Sequence, residues 1–311
     1  MQNALIIGGA GFVGKYLIPE LSNIYNVTAT KLPNESIPLD GCTVCDLNIM
    51  YPNQIEEVLS TVKPDVIFHL SAQSSVKLSW INPQLTIDVN IKGALNLLDS
   101  IKKLDLVCKT ILIGSGEEYG YVQQEECPIK EDNRIRPGNI YAITKATQNM
   151  IGTVYAKAYN MDIVMVRAFN HVGAGQLPMF VVSDFCKQIV EIEKGIKEPI
   201  MKVGNLTAKR DFTNVKDVVK AYKLLAENGI SGQTYNVGSG TAVTIQSILD
   251  IALSHSTADI RVVQDPNRMR PSDVPIIVAD TSKIFKDTGW KPDISLDATI
   301  LEVLEYWRNN I

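Results

Sequence analysis

The chain has 311 residues, of which 45% are hydrophobic and 21% are charged, and its formal net charge is -4. This length and composition predict a globular protein of one or two domains. The charge pattern contains no basic stripe for nucleic acid and no polybasic tail for an anionic membrane, so neither is an expected partner. No apolar run reaches the roughly 18 residues of a membrane span, and the N-terminus has no secretion signal, which predicts a cytoplasmic protein.

The five cysteines, an odd number scattered along the chain, indicate reduced thiols rather than a disulfide framework. Cys42 and Cys45 form a C-x-x-C pair. They lie in a short strand-like stretch, where residues three apart point to opposite faces, and no second pair completes a zinc site. The sequence therefore predicts no metal centre.

The first predicted elements are a strand, a glycine-rich turn and a helix. The apolar residues 4–7 lead into the segment Gly8-Gly9-Ala10-Gly11-Phe12-Val13-Gly14. Glycine at these positions permits a tight turn, lets a phosphate approach the backbone and lets the amphipathic helix over residues 12–21 pack closely on the strand. The N–H groups at the start of that helix then face the anion. This segment predicts a cradle for the pyrophosphate of a dinucleotide.

Strand-like and helix-like patterns continue to alternate as far as residue 170. Further strands are predicted at residues 27–30, 43–45, 66–70, 110–114 and 163–168. Helices with three-to-four spacing of apolar residues are predicted at 52–61, 83–103 and 140–159. This alternation predicts an α/β fold with a doubly wound parallel sheet and right-handed crossovers.

The alternation becomes irregular after about residue 170, where Gly173, Gly175 and Pro178 mark the change. We expect residues 1–170 to form a dinucleotide-binding domain and residues 171–311 to form mainly a smaller C-terminal lobe that binds substrate. Such a lobe would cover the carboxyl ends of the strands, where open α/β sheets bind their ligands. Segments within residues 211–240 carry helix and strand patterns that return to the first domain.

Tyr141 and Lys145 are four residues apart, which places a phenol and an ammonium on one face of a helix. Ser115 is predicted at the carboxyl edge of the fifth strand. The nearby ammonium is expected to lower the pKa of the phenol, and the Ser115 hydroxyl can hydrogen-bond the same carbonyl or alkoxide oxygen of a substrate. Tyr141 could then pass a proton while a hydride moves to or from carbon.

With these residues the chain resembles the extended short-chain dehydrogenase/reductases, the family of sugar-nucleotide epimerases, dehydratases and reductases. The motifs that carry the resemblance span the whole chain. They are Gly8, Gly11 and Gly14; Asp46-Leu47; His69-Leu70-Ser71-Ala72-Gln73; Asn90; Ser115 with Tyr141 and Lys145; and Arg167-Ala168-Phe169-Asn170-His171-Val172-Gly173. The resemblance implies a Rossmann-type fold and a nicotinamide cofactor.

The predicted cofactor site combines the glycine turn with residues that the resemblance implies. Asp46 and Leu47 would flank the adenine, and Lys145 would also hold the nicotinamide ribose. The full set is Gly8, Gly11, Phe12, Val13, Gly14, Thr30, Lys31, Asp46, Leu47, Leu70, Ser71, Ala72, Gln73, Asn90, Tyr141 and Lys145. Because the second strand ends in Thr30-Lys31 rather than in an acidic residue, we expect NADP(H) to bind, with NAD(H) accepted too.

Two further motifs resemble the branch of the family that handles GDP-hexoses. They are the segments Val203-Gly204-Asn205-Leu206-Thr207-Ala208-Lys209-Arg210-Asp211-Phe212 and Arg270-Pro271-Ser272-Asp273-Val274. A nucleotide diphosphate is well matched by guanidinium groups, so Arg210 and Arg270 are predicted to clamp it; the alternative is two surface arginines in ion pairs. The predicted substrate residues are Ser75, Glu117, Asn170, Val203, Asn205, Arg210, Arg270 and Asp273.

The segment Ser115-Gly116-Glu117-Glu118-Tyr119-Gly120 bears on the reaction type. Dehydratases of the family carry a hydroxyl or carboxyl group where this chain has Gly116, and Glu117 matches their catalytic base. The segment looks most like the GDP-6-deoxy-4-keto-hexose reductases, which implies reduction of a C4 ketone. Ser115, Tyr141, Lys145 and Glu117 are the predicted catalytic residues.

Three alternatives to the reductase remain open. They are a GDP-mannose 4,6-dehydratase, another nucleotide-sugar 4-epimerase and a non-catalytic dinucleotide-binding sensor. The sensor is disfavoured because Ser115, Tyr141 and Lys145 are all present. The resemblance also implies a homodimer in which residues 83–103 and 140–159 of both copies form a four-helix interface.

Overall fold

The computed structural model describes residues 1–268 and 274–311. Its strands are β1 (Gln2–Ile7), β2 (Tyr25–Lys31), β3 (Thr43–Asp46), β4 (Val66–His69), β5 (Lys109–Ser115), β6 (Ile163–Ala168), β7 (Asn170–Val172), β8 (Ile200–Val203), β9 (Lys209–Asn214), β10 (Thr234–Val237), β11 (Ala242–Thr244), β12 (Arg261–Gln264) and β13 (Ile276–Ile277). Its α-helices are α1 (Gly14–Leu21), α2 (Pro52–Val62), α3 (Val76–Ile81), α4 (Pro83–Ile87), α5 (Gly93–Lys103), α6 (Ile140–Tyr159), α7 (Val181–Glu193), α8 (Val215–Asn228), α9 (Ile245–Ser254), α10 (Ser282–Thr288) and α11 (Leu296–Asn310).

A seven-stranded parallel sheet forms the centre of the fold, with strand order β10-β6-β5-β4-β1-β2-β3. Strands such as β4 and β6 are buried along their whole length, because helices cover both faces of the sheet. Helices α1, α8 and α10 pack on one face, and α2, α5 and α6 pack on the other. This sheet confirms the predicted α/β class, and it brings the carboxyl ends of β1, β4 and β5 to one edge.

The C-terminal half contributes to this sheet and also builds a second apolar core. Strand β10 pairs with β6, and α8 packs on the face that carries α1. A four-stranded sheet of β7, β9, β11 and β13 and the pair β8–β12 lie outside the central sheet. Helices α7, α9 and α11 enclose the second core.

The helix expected over residues 83–103 is interrupted. Helix α4 ends at Ile87, a π-helical turn covers Asp88–Lys92, and α5 follows. The turn carries Asn90, whose buried amide donates hydrogen bonds to Gln73 O at 3.1 Å and to Thr144 Oγ1 at 2.9 Å. Such turns occur often at functional sites, and here the extra residue in the turn aims Asn90 at the loop after β4. Within the described residues, no helix is long and apolar enough to span a membrane.

Candidate active site

The glycine turn lies between β1 and α1 and has no room for larger side chains. Gly8 has φ +87°, and a Cβ atom there would lie 2.6 Å from Ser71 Oγ. A Cβ atom on Gly14 would lie 2.2 Å from the carbonyl oxygen of Gly9. At Gly11 such a Cβ would lie 3.3 Å from Gly8 O, which is closer than ordinary van der Waals contact. The turn therefore fits a group that must approach the backbone closely, as a pyrophosphate does.

Neighbouring strands hold the glycine turn in place. Thr30, at 1% exposure, accepts a hydrogen bond from Gly8 N through its Oγ1 at 3.1 Å, and its carbonyl accepts one from Gly9 N at 2.8 Å. Leu70 N and Ser71 N both donate to Ile7 O at 3.0 Å. These bonds place the end of β4 beside the turn.

The loop after β4 is fixed by amide side chains. Gln73 N donates to Asn90 Oδ1 at 2.8 Å, while the Gln73 amide bonds Thr86 Oγ1 at 2.8 Å and Ser75 O at 3.1 Å. Ser75 caps α3 by accepting from Leu78 N at 3.1 Å. Ala72 is half-buried in the same loop. Its neighbours Leu70 and Ser71 thus lie at the carboxyl edge of the sheet, next to the glycine turn.

Lys31 at the end of β2 is paired with an acidic residue of β3, and the sequence did not reveal this pairing. Lys31 Nζ donates to Asp46 Oδ1 at 2.6 Å, because Lys31 and Asp46 are paired residues in the register of β2 and β3. Leu47 N donates to Lys31 O at 2.8 Å, and the Leu47 side chain is buried. Strand β2 itself ends without an acidic residue, and the carboxylate beside Lys31 is that of Asp46 on β3.

Ser115, Tyr141 and Lys145 come together as predicted from their positions. The side chains of Ser115 and Tyr141 lie close enough for Ser115 to lower the pKa of the phenol. Lys145 lies one helical turn after Tyr141 and donates to Ile113 O at 2.7 Å and to Gln148 Oε1 at 3.1 Å. Ser115, Tyr141 and Lys145 are each at least nine-tenths buried, whereas the fourth predicted catalytic residue, Glu117, is half-buried. The site can therefore hold an oxygen atom of a ligand away from bulk water.

The pKa of Tyr141 is shifted in the direction opposite to the expectation. Burial raises it, and the charges of Glu117 and Glu118 add to this effect, while the Ser115 side chain only partly offsets them. Lys145 is not among the groups that shift it. The ammonium donates to Ile113 O and Gln148 Oε1. Burial lowers the pKa of Lys145 itself to about 8. The phenol is thus fully protonated at neutral pH and the ammonium largely so.

Asn139 joins Glu117 to α6, the helix that carries Tyr141 and Lys145. Its side-chain oxygen accepts from Ala142 N at 2.8 Å and caps α6, and its amide donates to Glu117 Oε2 at 3.1 Å. The backbone N of Glu117 in turn donates to Ser115 Oγ at 3.2 Å. The segment before Tyr141 therefore ends in a regular helix N-cap at Asn139.

A buried ion pair behind Ser115 was not predicted. Glu118 Oε2 accepts from Arg167 Nε at 2.9 Å and from Asn149 Nδ2 at 3.1 Å, and its Oε1 accepts from Ser115 N at 2.9 Å. Arg167 also donates to Tyr119 Oη at 2.9 Å and lies over the Tyr119 ring. The pair therefore holds the backbone of Ser115 in place.

The two histidines near the site have no catalytic geometry. Both ring nitrogens of His69 are buried and have no hydrogen-bond partner within the described residues. Burial, followed by the charge of Lys145, lowers the pKa of His69 to about 3. His171 stacks on Phe12 of the glycine turn, with ring centroids 6.1 Å apart. His171 thus connects the turn to the motif that contains Asn170.

The predicted substrate residues of the second lobe are more dispersed. Asn170 is exposed and donates to Asp211 O at 3.1 Å. Arg210 Nη1 donates to Val274 O at 2.7 Å, directly after the segment that holds Arg270 and Asp273, which lie outside the described residues. The Asn205 side chain hydrogen-bonds to Thr207. The Val203 side chain packs in the second core, so Val203 can contact a substrate only through its backbone.

Asp211, next to Arg210, organises this part of the lobe. Its buried carboxylate accepts hydrogen bonds from Ser239 N, Gly240 N and Ala279 N at 2.6 to 3.1 Å. The position of Asp211 within the Arg-Asp-Phe motif was visible in the sequence, but its partners lie 28 to 68 residues away. This carboxylate ties β9 to the turn before β11 and to the end of β13.

Comparison with known proteins gives full-length relatives. The chain is 28% identical over 310 residues to the GDP-6-deoxy-D-mannose reductase of Pseudomonas aeruginosa, covering 100% of this chain and 98% of that protein. It is 29% identical over 270 residues to the GDP-mannose 4,6 dehydratase of Cricetulus griseus, covering 80% of this chain and 72% of that protein. The solved structure of RMD from Pseudomonas aeruginosa complexed with NADPH matches with TM-score 0.90 and 27% identity, covering 100% of both chains.

The family model described as GDP-mannose 4,6 dehydratase matches residues 5–303. This match includes the glycine turn, the Ser115, Tyr141 and Lys145 constellation and both motifs of the second lobe. It confirms the predicted relationship to sugar-nucleotide enzymes with a nicotinamide cofactor. The chain therefore belongs to the GDP-mannose 4,6 dehydratase family, which its sequence and its central sheet both reflect.

Proposed function

We propose that the protein reduces the C4 ketone of a GDP-4-keto-6-deoxyhexose to a GDP-6-deoxyhexose with NADPH. The observation that carries this choice is the packing around Gly116. A Cβ atom at this position would lie 3.1 to 3.2 Å from three atoms of the Phe169 ring. The hydroxyl or carboxyl group that a dehydratase uses here could enter only if that ring moved. The absence of this group supports simple ketone reduction over elimination.

The proposed cofactor residues follow from the glycine turn between β1 and α1. Gly8, Gly11 and Gly14 would receive the pyrophosphate at the start of α1, and Lys31 and Asp46 would meet the adenosine end. When bound, the cofactor supplies the hydride that is added to C4. Lys31 is already paired with Asp46, so it can exchange this partner for a 2′-phosphate or keep it. This exchange supports NADPH as the main cofactor and NADH as an accepted one.

Tyr141 would be the proton donor of the reaction. Its phenol is protonated at neutral pH, since burial and two nearby carboxylates raise its pKa. As the hydride is added to C4, the proton moves from the Tyr141 hydroxyl to the alkoxide oxygen, and the tyrosinate is left beside the Lys145 ammonium. Ser115 would hold the same oxygen in place by a hydrogen bond. A protonated acid at rest suits reduction better than a reaction that begins with oxidation.

The substrate would lie between this site and the second lobe. Asn170, Asn205 and Arg210 stand on elements beyond the carboxyl edge of the sheet, where ligands of such folds bind. Arg210 and Arg270 remain our proposal for the clamp on the diphosphate, with Asp273, Val203 and Ser75 as further contacts. Full-length similarity to a GDP-6-deoxy-D-mannose reductase supports a GDP-linked hexose.

A GDP-mannose 4,6-dehydratase is the second candidate because of Glu117. This carboxylate is half-buried beside Ser115 and is oriented by Asn139, as a base for the C5 proton would have to be. Two substitutions distinguish these candidate functions. Tyr141→Phe should lower NADPH-dependent ketone reduction by about 10²–10⁴-fold, whereas Glu117→Gln should retain most of it. A loss of reduction in Glu117→Gln as large as that in Tyr141→Phe would contradict the reductase.

A homodimer and a cytoplasmic location complete the proposal. Helix α6 exposes Ile143, Met150 and Val154, which are 46 to 57% exposed, and the neighbouring α4 exposes Leu85. Two copies could bury these apolar faces as a four-helix interface. A monomer mass in analytical ultracentrifugation would refute the dimer. All five cysteines are free thiols, which supports a reducing compartment.

A further inference from the structure

Gln148 forms a closed set of hydrogen bonds with the catalytic lysine. Its Oε1 accepts from Lys145 Nζ at 3.1 Å, and its Nε2 donates to Ile113 O at 3.1 Å. Lys145 Nζ donates to the same Ile113 oxygen at 2.7 Å. Gln148 is 1% exposed and Lys145 is 3% exposed. One glutamine side chain therefore contacts both the ammonium and the backbone oxygen that the ammonium uses.

This geometry restricts the direction of the ammonium. A lysine side chain has many accessible rotamers, so an ammonium without fixed partners would sample several positions. The group is tetrahedral, and two of its three N–H bonds point at Ile113 O and Gln148 Oε1. The direction of the third N–H is then fixed by bond geometry. Gln148 also prevents the Ile113 carbonyl from turning, because it donates to that oxygen itself.

Several charged groups lie near Lys145, and Gln148 is an uncharged acceptor among them. Glu118, from the turn after β5, favours the charged form of Lys145, and burial opposes it. His69 of β4 faces Lys145, Tyr141 lies on the same helix, and Arg167 of β6 is paired with Glu118. Asp88 of the π-helical turn is paired with Lys92. The other charged groups on the helices beside α6 are exposed: Lys77, Lys92, Asp99, Lys102 and Lys103.

We propose that Gln148 is a positioning residue that holds the Lys145 ammonium charged and aimed toward the nicotinamide ribose and Tyr141. This inference rests on the proposed function, in which Lys145 contacts the cofactor. The carboxamide acts twice, as an acceptor for the ammonium and as a donor that fixes its other acceptor. Neither role involves contact of Gln148 with substrate or cofactor.

Two substitutions at this position have opposite expected effects. Gln148→Glu places a carboxylate beside the ammonium, which favours the charged form although it gives up the donor to Ile113 O. Gln148→Leu removes both the acceptor and the donor. Since the pKa of Lys145 is about 8, NADPH affinity of the unaltered protein should weaken above about pH 8. The midpoint of that loss should rise by about one pH unit in Gln148→Glu and fall by about one unit in Gln148→Leu. At pH 8 the ammonium fraction in Gln148→Leu would fall from about one half to about one eleventh, so its NADPH affinity should be lower by about fivefold.

The test is a fluorescence titration of NADPH at pH 6 to 10 with each purified variant. Gln188→Glu is the matched control, because Gln188 is a buried glutamine on α7 in the other core, and its midpoint should not move. Opposite shifts for the two variants support the inference. Unmoved midpoints, or shifts in the same direction, would overturn it, and Gln148→Glu decides the matter alone if Gln148→Leu does not fold. The titration needs no turnover, so absence of ketone reduction together with opposite shifts would reject only the proposed function.

Discussion

Replacing Glu118 with alanine should destabilise the protein by about 3–5 kcal/mol, the cost of leaving a buried charge without its partner. The side chains of Glu118 and Arg167 are 0% and 6% exposed, so water cannot replace the lost carboxylate. The substitution also removes the acceptor of Ser115 N and Asn149 Nδ2. Glu118→Gln keeps the shape, but one carboxylate oxygen becomes an NH2 group that faces a donor. Its cost should be about 1.5–3 kcal/mol, that of one hydrogen bond to a charged group.

Thermal unfolding measures these costs. For 311 residues the entropy of unfolding is about 0.65 kcal/mol per kelvin, so Glu118→Ala should lower Tm by about 5–8 °C and Glu118→Gln by about 2–5 °C. The control is Glu57→Ala on α2, where an exposed glutamate is removed and Tm should change by less than about 1 °C. If Glu118→Ala melted within 1 °C of the unaltered protein, the ion pair would not hold the site together.

Three other predictions concern pH, cofactor choice and the helix cap. Burial lowers the pKa of His69 to about 3, so below pH 6.5 the unfolded chain binds more protons there than the folded protein, and stability falls as pH falls. His69→Leu should therefore remove about 2 kcal/mol of the stability loss between pH 7 and 5 in urea unfolding; an unchanged loss would contradict the shift. Asp46→Asn releases Lys31 from an exposed ion pair, so the ratio of NADPH to NADH affinity in titrations should rise about 2–5-fold, and a fall would place Lys31 elsewhere. Asn139→Ala should cost about 1 kcal/mol of stability, whereas Asn139→Ser should cost only a few tenths because serine also caps; equal costs in thermal unfolding would show that the bond to Glu117, not the cap, matters.

The parts of the fold that local sequence determines were predictable. Short, mainly apolar runs such as residues 66–70 favour strands buried on both faces, and the glycines at 8, 11 and 14 indicate their turn without any partner. The spacing of Tyr141 and Lys145 likewise places them on one face of α6. In each case the signal lies within a few residues of the feature.

What the sequence could not predict depends on pairing between distant segments. Glu118 and Arg167 are 49 residues apart in the chain. Nothing in the local sequence of residues 115–120 indicates that Glu118 is buried rather than exposed to solvent. The Lys31–Asp46 pair required the register of β2 and β3. The sign of the Tyr141 pKa shift depended on burial, which the positions of charges along the chain do not give.

Product analysis with two substrates tests the central claim most directly. The protein is incubated with GDP-4-keto-6-deoxymannose plus NADPH, and separately with GDP-mannose and no added cofactor, and the products are identified by mass spectrometry and NMR. The account predicts one NADPH oxidised per GDP-6-deoxyhexose formed in the first reaction, and GDP-mannose left intact in the second. Efficient conversion of GDP-mannose to its 4-keto-6-deoxy product without added cofactor would contradict the reductase and identify a dehydratase with Glu117 as its base.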